Sequence, residues 1–125
     1  MQKSETKSFS WKTRIKSFRW AFEGIAQFFS REHNVWIHLG ATILVFFMII
    51  FFKIKKVDLV LLIFSVGFVW VAEMFNTCIE NIMDMISPEK QNRVKYIKDL
   101  AAAAVFVSVM VAVATGLIIF IPKLF

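Results

Sequence analysis

Residues 100–121 carry no charged side chain, and neither do residues 59–72, LVLLIFSVGFVWVA. A bilayer's hydrocarbon core is about 30 Å thick and takes about 20 apolar helical residues to cross. Inside it, only a helix or a closed barrel satisfies every backbone N–H and C=O. Three stretches meet the helical requirement: residues 35–52, residues 57–83 with acids inside them, and residues 100–121. The sequence predicts an all-α membrane protein with three transmembrane helices in a single domain, 1–125. Composition agrees, because 58% apolar residues with fifteen Phe in 125 positions exceed what a small soluble core can bury. No cleavable signal is expected, since the first thirty residues are basic rather than a short apolar stretch ending in small residues. The single cysteine, Cys78, has no partner in the chain and reads as a small packing residue.

Charge sets the orientation. Lys3, Lys7, Lys12, Arg14, Lys16, Arg19 and Arg31 precede the first span, and Lys90, Arg93, Lys95 and Lys98 lie between the second and third. Lys53, Lys55, Lys56 and Lys123 fall on the opposite side. The excess of Lys and Arg places the N-terminus and the second loop in the cytoplasm, which predicts a multi-pass membrane protein with a cytoplasmic N-terminus. Residues 11–30 repeat Trp11, Ile15, Phe18, Phe22, Ile25 and Phe29 at steps of four and three. At 100° per residue these fall within about 80° of arc, an amphipathic surface helix with its aromatics toward lipid and its bases toward anionic headgroups. The net charge of +6 suits anionic lipid or a polyphosphate. Nucleic acid is not an expected partner, because most of the chain is committed to the bilayer.

The acids of the second span pose the functional question. In EMFNTCIENIMD, residues 73–84, Asn76, Glu80 and Asp84 lie at about −60°, −20° and +20° from Glu73 on a helix, so all four share a face. Glu73 and Glu80 are about 10 Å apart along the axis, and the ladder climbs from the hydrocarbon edge toward water. Each ionisable group in a span costs about 2.5 to 3.5 kcal/mol on insertion scales and marks a pathway or a site. Stacked carboxylates with an Asn suit a hard cation, and Mg²⁺ is held by one or two carboxylates together with substrate phosphates. Across a short loop, SPEKQNRVKYIKD, Pro88 breaks the helix, and Glu89, Lys90, Arg93, Lys95, Lys98 and Asp99 crowd the mouth of the ladder. A carboxylate ladder facing a basic loop can cradle a metal-bound polyphosphate.

Other phosphate and metal sites fail on spacing. The sequence has no GxxxxGK[ST] and no GxGxxG after a strand. It lacks the Glu-x-x-His of a di-iron bundle, and no Ser-His-Asp grouping stands out. His33 and His38 flank the start of the first span and read as interfacial or packing histidines.

AEMFNTCIENIMD, followed by KDLAAAAV and preceded by REHN before the first span, resembles the small prokaryotic diacylglycerol kinase family, which includes the undecaprenol kinases. The similarity covers about Thr13 to Pro122. It implies an integral-membrane lipid kinase with three spans and a surface helix, working as a homotrimer with ATP and Mg²⁺ on a membrane lipid alcohol. The resemblance implies that Glu73 is the catalytic base at the lipid substrate, that Glu32 and Glu80 coordinate the metal and bind the nucleotide, and that Lys98 and Asp99 contact the nucleotide. Glu89, Lys90 and Gln91 fall on the family's loop contacts to ATP, and Asn76 and Asp84 on its ladder positions. Arg14 falls on the nucleotide-contacting Arg if one residue is dropped before Gly24, with Arg19 as a rival. Trp20 stands where another branch has Tyr near the nucleotide, so stacking persists there without a hydroxyl.

Two alternatives stay open at this level. Small multidrug transporters are of similar size and use an intramembrane Glu, but they need four spans with a Glu in the first, where this sequence offers three and a ladder at one edge. The acceptor is either undecaprenol or diacylglycerol, and REHNVWIH resembles the undecaprenol branch somewhat more.

Overall fold

The structure, a computed structural model, describes residues 8–89 and 91–125. Lys3, Lys7 and Lys90 of the charge pattern lie outside the described residues. The described chain is helical: α1 (Trp11–Arg31), α2 (Asn34–Phe52), α3 (Lys56–Ile86) and α4 (Asn92–Leu124). α2, α3 and α4 are each long and apolar enough to cross a membrane, and the three predicted spans fall inside them. The chain divides into two compact units, one up to Ile37 and one from His38 to Phe125.

In the first unit, α1 ends where Glu32 turns to extended backbone and donates its N–H to the Phe28 carbonyl. No residue of α1 is buried. Phe29 and Trp36 meet edge to face, 5.9 Å between ring centroids.

In the second unit, α3 and α4 make the closest backbone approach. Along α3 the buried residues are Leu62, Ser65, Val69 and Glu73, at steps of three and four that mark one face of a helix. On α4, Val94, Ala101 and Ser108 are buried at strict seven-residue intervals, the repeat of a coiled-coil seam. Small residues let the helices approach closely where lipid supplies no hydrophobic drive between them. The two buried serines turn their hydroxyls back on their own helices, Ser65 Oγ to the Leu62 carbonyl at 3.1 Å and Ser108 Oγ to the Val105 carbonyl at 2.6 Å. Neither leaves an unsatisfied donor in the seam.

An apolar cluster of Leu62, Ile119 and Phe120 closes the end near the α2–α3 turn, with Val45, Met48 and Phe52 of α2 against it. That turn is tight. Lys53 adopts φ 49°, and the Ile54 N–H reaches the Ile49 carbonyl at 3.4 Å, the six-to-one bond that ends a helix on a left-handed residue.

The boundaries correct the loop expected between the second and third spans. α3 continues to Ile86 and α4 already begins at Asn92, so Arg93 and Lys95 are helical rather than loop residues, continuous with Lys98 and Asp99 at the start of the third span. Both helices outrun the hydrocarbon, and past its edge Asn, Arg, Lys and Tyr continue a helix at little cost in propensity. Cys78 is exposed on the chain rather than packed inside it, because it lies about 140° around α3 from Glu73.

Candidate active site

The carboxylate ladder continues the buried stripe of α3. Leu62, Ser65 and Val69 project within an arc of about 100° shared with Glu73, Asn76, Glu80 and Asp84, so one helix face changes from apolar to polar at Glu73. Glu73 is 9% exposed. Its Oε1 lies 2.5 Å from Nε2 of His38 on α2, and no other side chain among the described residues bonds this carboxylate.

One turn toward the apolar end, a second rung joins the same two helices. Trp70 Nε1 donates to Thr42 Oγ1 at 3.0 Å, and the Thr42 hydroxyl donates to the His38 carbonyl at 2.7 Å. The His38 and Trp70 rings stand 6.3 Å apart. His38, Thr42 and Trp70 also form the polar end of a cavity of about 460 Å³ between α2, α3 and α4. The rest of its wall is apolar, from Val45 and Leu62 down to Phe120 and Leu124.

Toward the other end, Asn76 Nδ2 donates to Glu80 Oε1 at 3.3 Å. The amide oxygen of Asn76 is buried with no hydrogen-bond partner. A buried acceptor without a donor is rare and costs about 1–3 kcal/mol, and it is the position at which a cation or a donating ligand group is wanted. Asp84 pairs with Lys98 across the α3–α4 seam. Asp99 pairs instead with Lys95 on its own helix, at 2.5 Å. The two residues read as one nucleotide-contacting pair are thus each engaged by a different partner.

The remaining predicted residues are dispersed. Glu89 and Gln91 are exposed in the connection between α3 and α4, and the Ser87 hydroxyl donates to the Glu89 carbonyl at 3.4 Å. In the first unit, Trp20 is exposed on α1 and Glu32 is half-buried at its end. Arg14 stacks over Phe9, 5.2 Å to the ring centroid, and Arg19 is paired with Glu23 at 3.1 Å. Among the described residues no three His, Cys, Asp or Glu side chains converge into a metal cage. An ion that shares its coordination with substrate phosphates needs none. The donor set at Asn76 and Glu80, a buried amide oxygen beside a carboxylate, has the hard-oxygen chemistry such an ion takes.

The family model of prokaryotic diacylglycerol kinases matches residues 19–120. This chain belongs to that family. It is similar to the undecaprenol kinase of Bacillus subtilis (strain 168), 31% identical over 110 residues that cover 88% of this chain and 89% of the relative. It is also similar to the diacylglycerol kinase of Synechocystis sp. (strain ATCC 27184 / PCC 6803 / Kazusa), 27% identical over 111 residues, 88% of this chain and 63% of that longer protein. The protein is therefore a lipid kinase with three helices able to span a membrane, and its family implies a divalent metal. The matched region includes the whole ladder together with Arg19, and Arg14 lies before it.

The candidate site also contains residues that sequence reasoning passed over. His38 was expected to pack or to sit at the interface, and it meets Glu73 instead. A usable signal was present, since an ionisable residue inside an otherwise uncharged span is a site candidate by default. Thr42 and Trp70 gave none.

Proposed function

We propose that the protein transfers the terminal phosphate of ATP to the hydroxyl of a membrane lipid alcohol, with undecaprenol the first candidate and diacylglycerol the second. The observation that supports this most directly is the half-apolar, half-polar face of α3, with a buried carboxylate at the changeover. The lipid hydroxyl comes to Glu73 from the bilayer, and the nucleotide comes from the cytoplasm to Glu80, Asp84 and the start of α4. Glu73 accepts the hydroxyl proton as the alcohol oxygen attacks the terminal phosphorus and the bond to the ADP oxygen breaks. Asn76 presents its oxygen between the two ends. Lys98 and Asp99, with Glu89, Lys90 and Gln91, bind the nucleotide, and in the first unit Glu32, Trp20 and either Arg14 or Arg19 add to it. Glu32 and Glu80 are the residues that would hold Mg²⁺, which would offset charge on the phosphoryl oxygens. The apolar cavity, which His38 borders, receives the acceptor's chain. α1 lies along the cytoplasmic headgroup layer, and three copies assemble.

Undecaprenol is favoured by the higher identity and fuller coverage of the undecaprenol kinase relative. The apolar wall itself discriminates weakly between prenyl and acyl chains.

The test is phosphorylation of both lipids by the purified protein with ATP and Mg²⁺, repeated with two variants. Glu73→Gln keeps the shape and removes the proton acceptor, so kcat falls about 10²- to 10⁴-fold with nucleotide affinity little changed. Glu80→Gln weakens Mg·ATP binding, and raising Mg²⁺ recovers part of the activity. Loss of ATP binding in Glu73→Gln with its retention in Glu80→Gln would reverse the two roles, and failure to phosphorylate either lipid would refute the activity.

A further inference from the structure

We propose that His38 is a positioning residue for Glu73, an inference that rests on Glu73 being the proton acceptor. A buried carboxylate at a hydrocarbon edge has two problems. It needs a compensating donor, or its charge is costly, and its side chain can swing among rotamers that miss the substrate. The Nε2 contact to Oε1 at 2.5 Å answers both, because it comes from a different helix and engages one oxygen only. The other oxygen, Oε2, has no protein partner among the described residues and is left for the acceptor hydroxyl.

The surroundings of His38 show that this contact is held. His38 and Thr42 lie one turn apart on α2, and Trp70 and Glu73 lie one turn apart on α3, so the His38–Glu73 contact and the Trp70–Thr42 hydrogen bond form two parallel rungs. One rung would act as a pivot. Two fix the rotation of both helices, and with it the direction from which the imidazole approaches the carboxylate. The His38 side chain is 20% exposed and borders the cavity. A histidine serving only as filler would turn its nitrogens to a backbone carbonyl or to water. This one directs Nε2 at the residue on which the proposed chemistry depends.

The experiment compares His38→Gln, His38→Asn and His38→Leu in lipid phosphorylation, with Glu73→Gln alongside. Gln carries its amide nitrogen the same number of bonds from the backbone as the Nε2 of His, whereas Asn is one bond short and Leu has no donor. Asn and Leu should lower kcat about 10- to 100-fold, the range set by an ångström of misplacement, with KM for ATP within about twofold of the parent. Gln should restore most of the loss. Thermal melting in the same micelles follows folding, and if Leu fails to fold, the Gln and Asn pair carries the comparison alone.

Equal impairment in Gln and Asn, full activity in Asn, or a KM for ATP that rises as kcat falls would each overturn the role. Glu73→Gln separates this from the underlying reading. If it keeps full activity, the proton-acceptor assignment fails. If it is inactive while His38→Asn is fully active, only the role of His38 fails.

Discussion

Lys53 holds a conformation that a lysine side chain disfavours. At φ 49° its Cβ crowds the following carbonyl, at a cost of about 1–2 kcal/mol that glycine does not incur. Lys53→Gly should therefore stabilise the protein by up to about 1 kcal/mol, and Lys53→Val should destabilise it, both read from denaturation midpoints in micelles; a loss of stability in the glycine variant would show that the lysine makes a compensating contact. At this scale the sequence was legible where chemistry and helical spacing coincide. Glu73, Asn76, Glu80 and Asp84 share a face, and their common direction follows from 3.6 residues per turn alone. Partners on other helices were not legible. Nothing in the spacing around Lys98 tells that it turns to Asp84, and nothing in REHNVWIH tells that the last histidine points at Glu73. Such pairings depend on the rotation of one helix against the next, which local sequence does not encode.

Elements were read well in kind and short in extent. Uncharged length marks where a helix must be, so residues 35–52, 57–83 and 100–121 all fall inside α2, α3 and α4. Hydropathy reports only the part that lipid requires and is silent on where a helix continues in water, which is why the basic stretch after Asn92 was expected as a loop. The seam between α3 and α4 offers a test at this scale. Ser108 is fully buried, at the third position of the seven-residue repeat, and its hydroxyl is satisfied within its own helix. Ser108→Ala should be nearly neutral. Ser108→Leu forces extra volume into a filled seam and should cost about 1–3 kcal/mol, measured by denaturant titration in micelles; a neutral Leu variant would mean that the seam is loosely packed.

For the whole molecule, the described chain exposes large apolar side chains along every spanning helix, among them Phe47, Phe64 and Phe106, and lipid or further copies must cover them. Ala103 is exposed on α4 and offers a neighbouring copy a small side chain, which admits close backbone approach. The proposed trimer predicts that Ala103→Phe weakens assembly, seen as a fall in cross-linked trimer, and an undiminished trimer would remove α4 from the contact. α3 has 31 residues and is about 46 Å long, well beyond the hydrocarbon thickness. Some of it must overhang or the helix must tilt, and the carboxylates occupy the end that does so. Bilayer thickness then becomes a setting of the enzyme. A thicker membrane draws Glu80 toward the dry interior, and a thinner one bathes Glu73 in water. The same polypeptide would be differently tuned in each membrane it inhabits, with no residue changed.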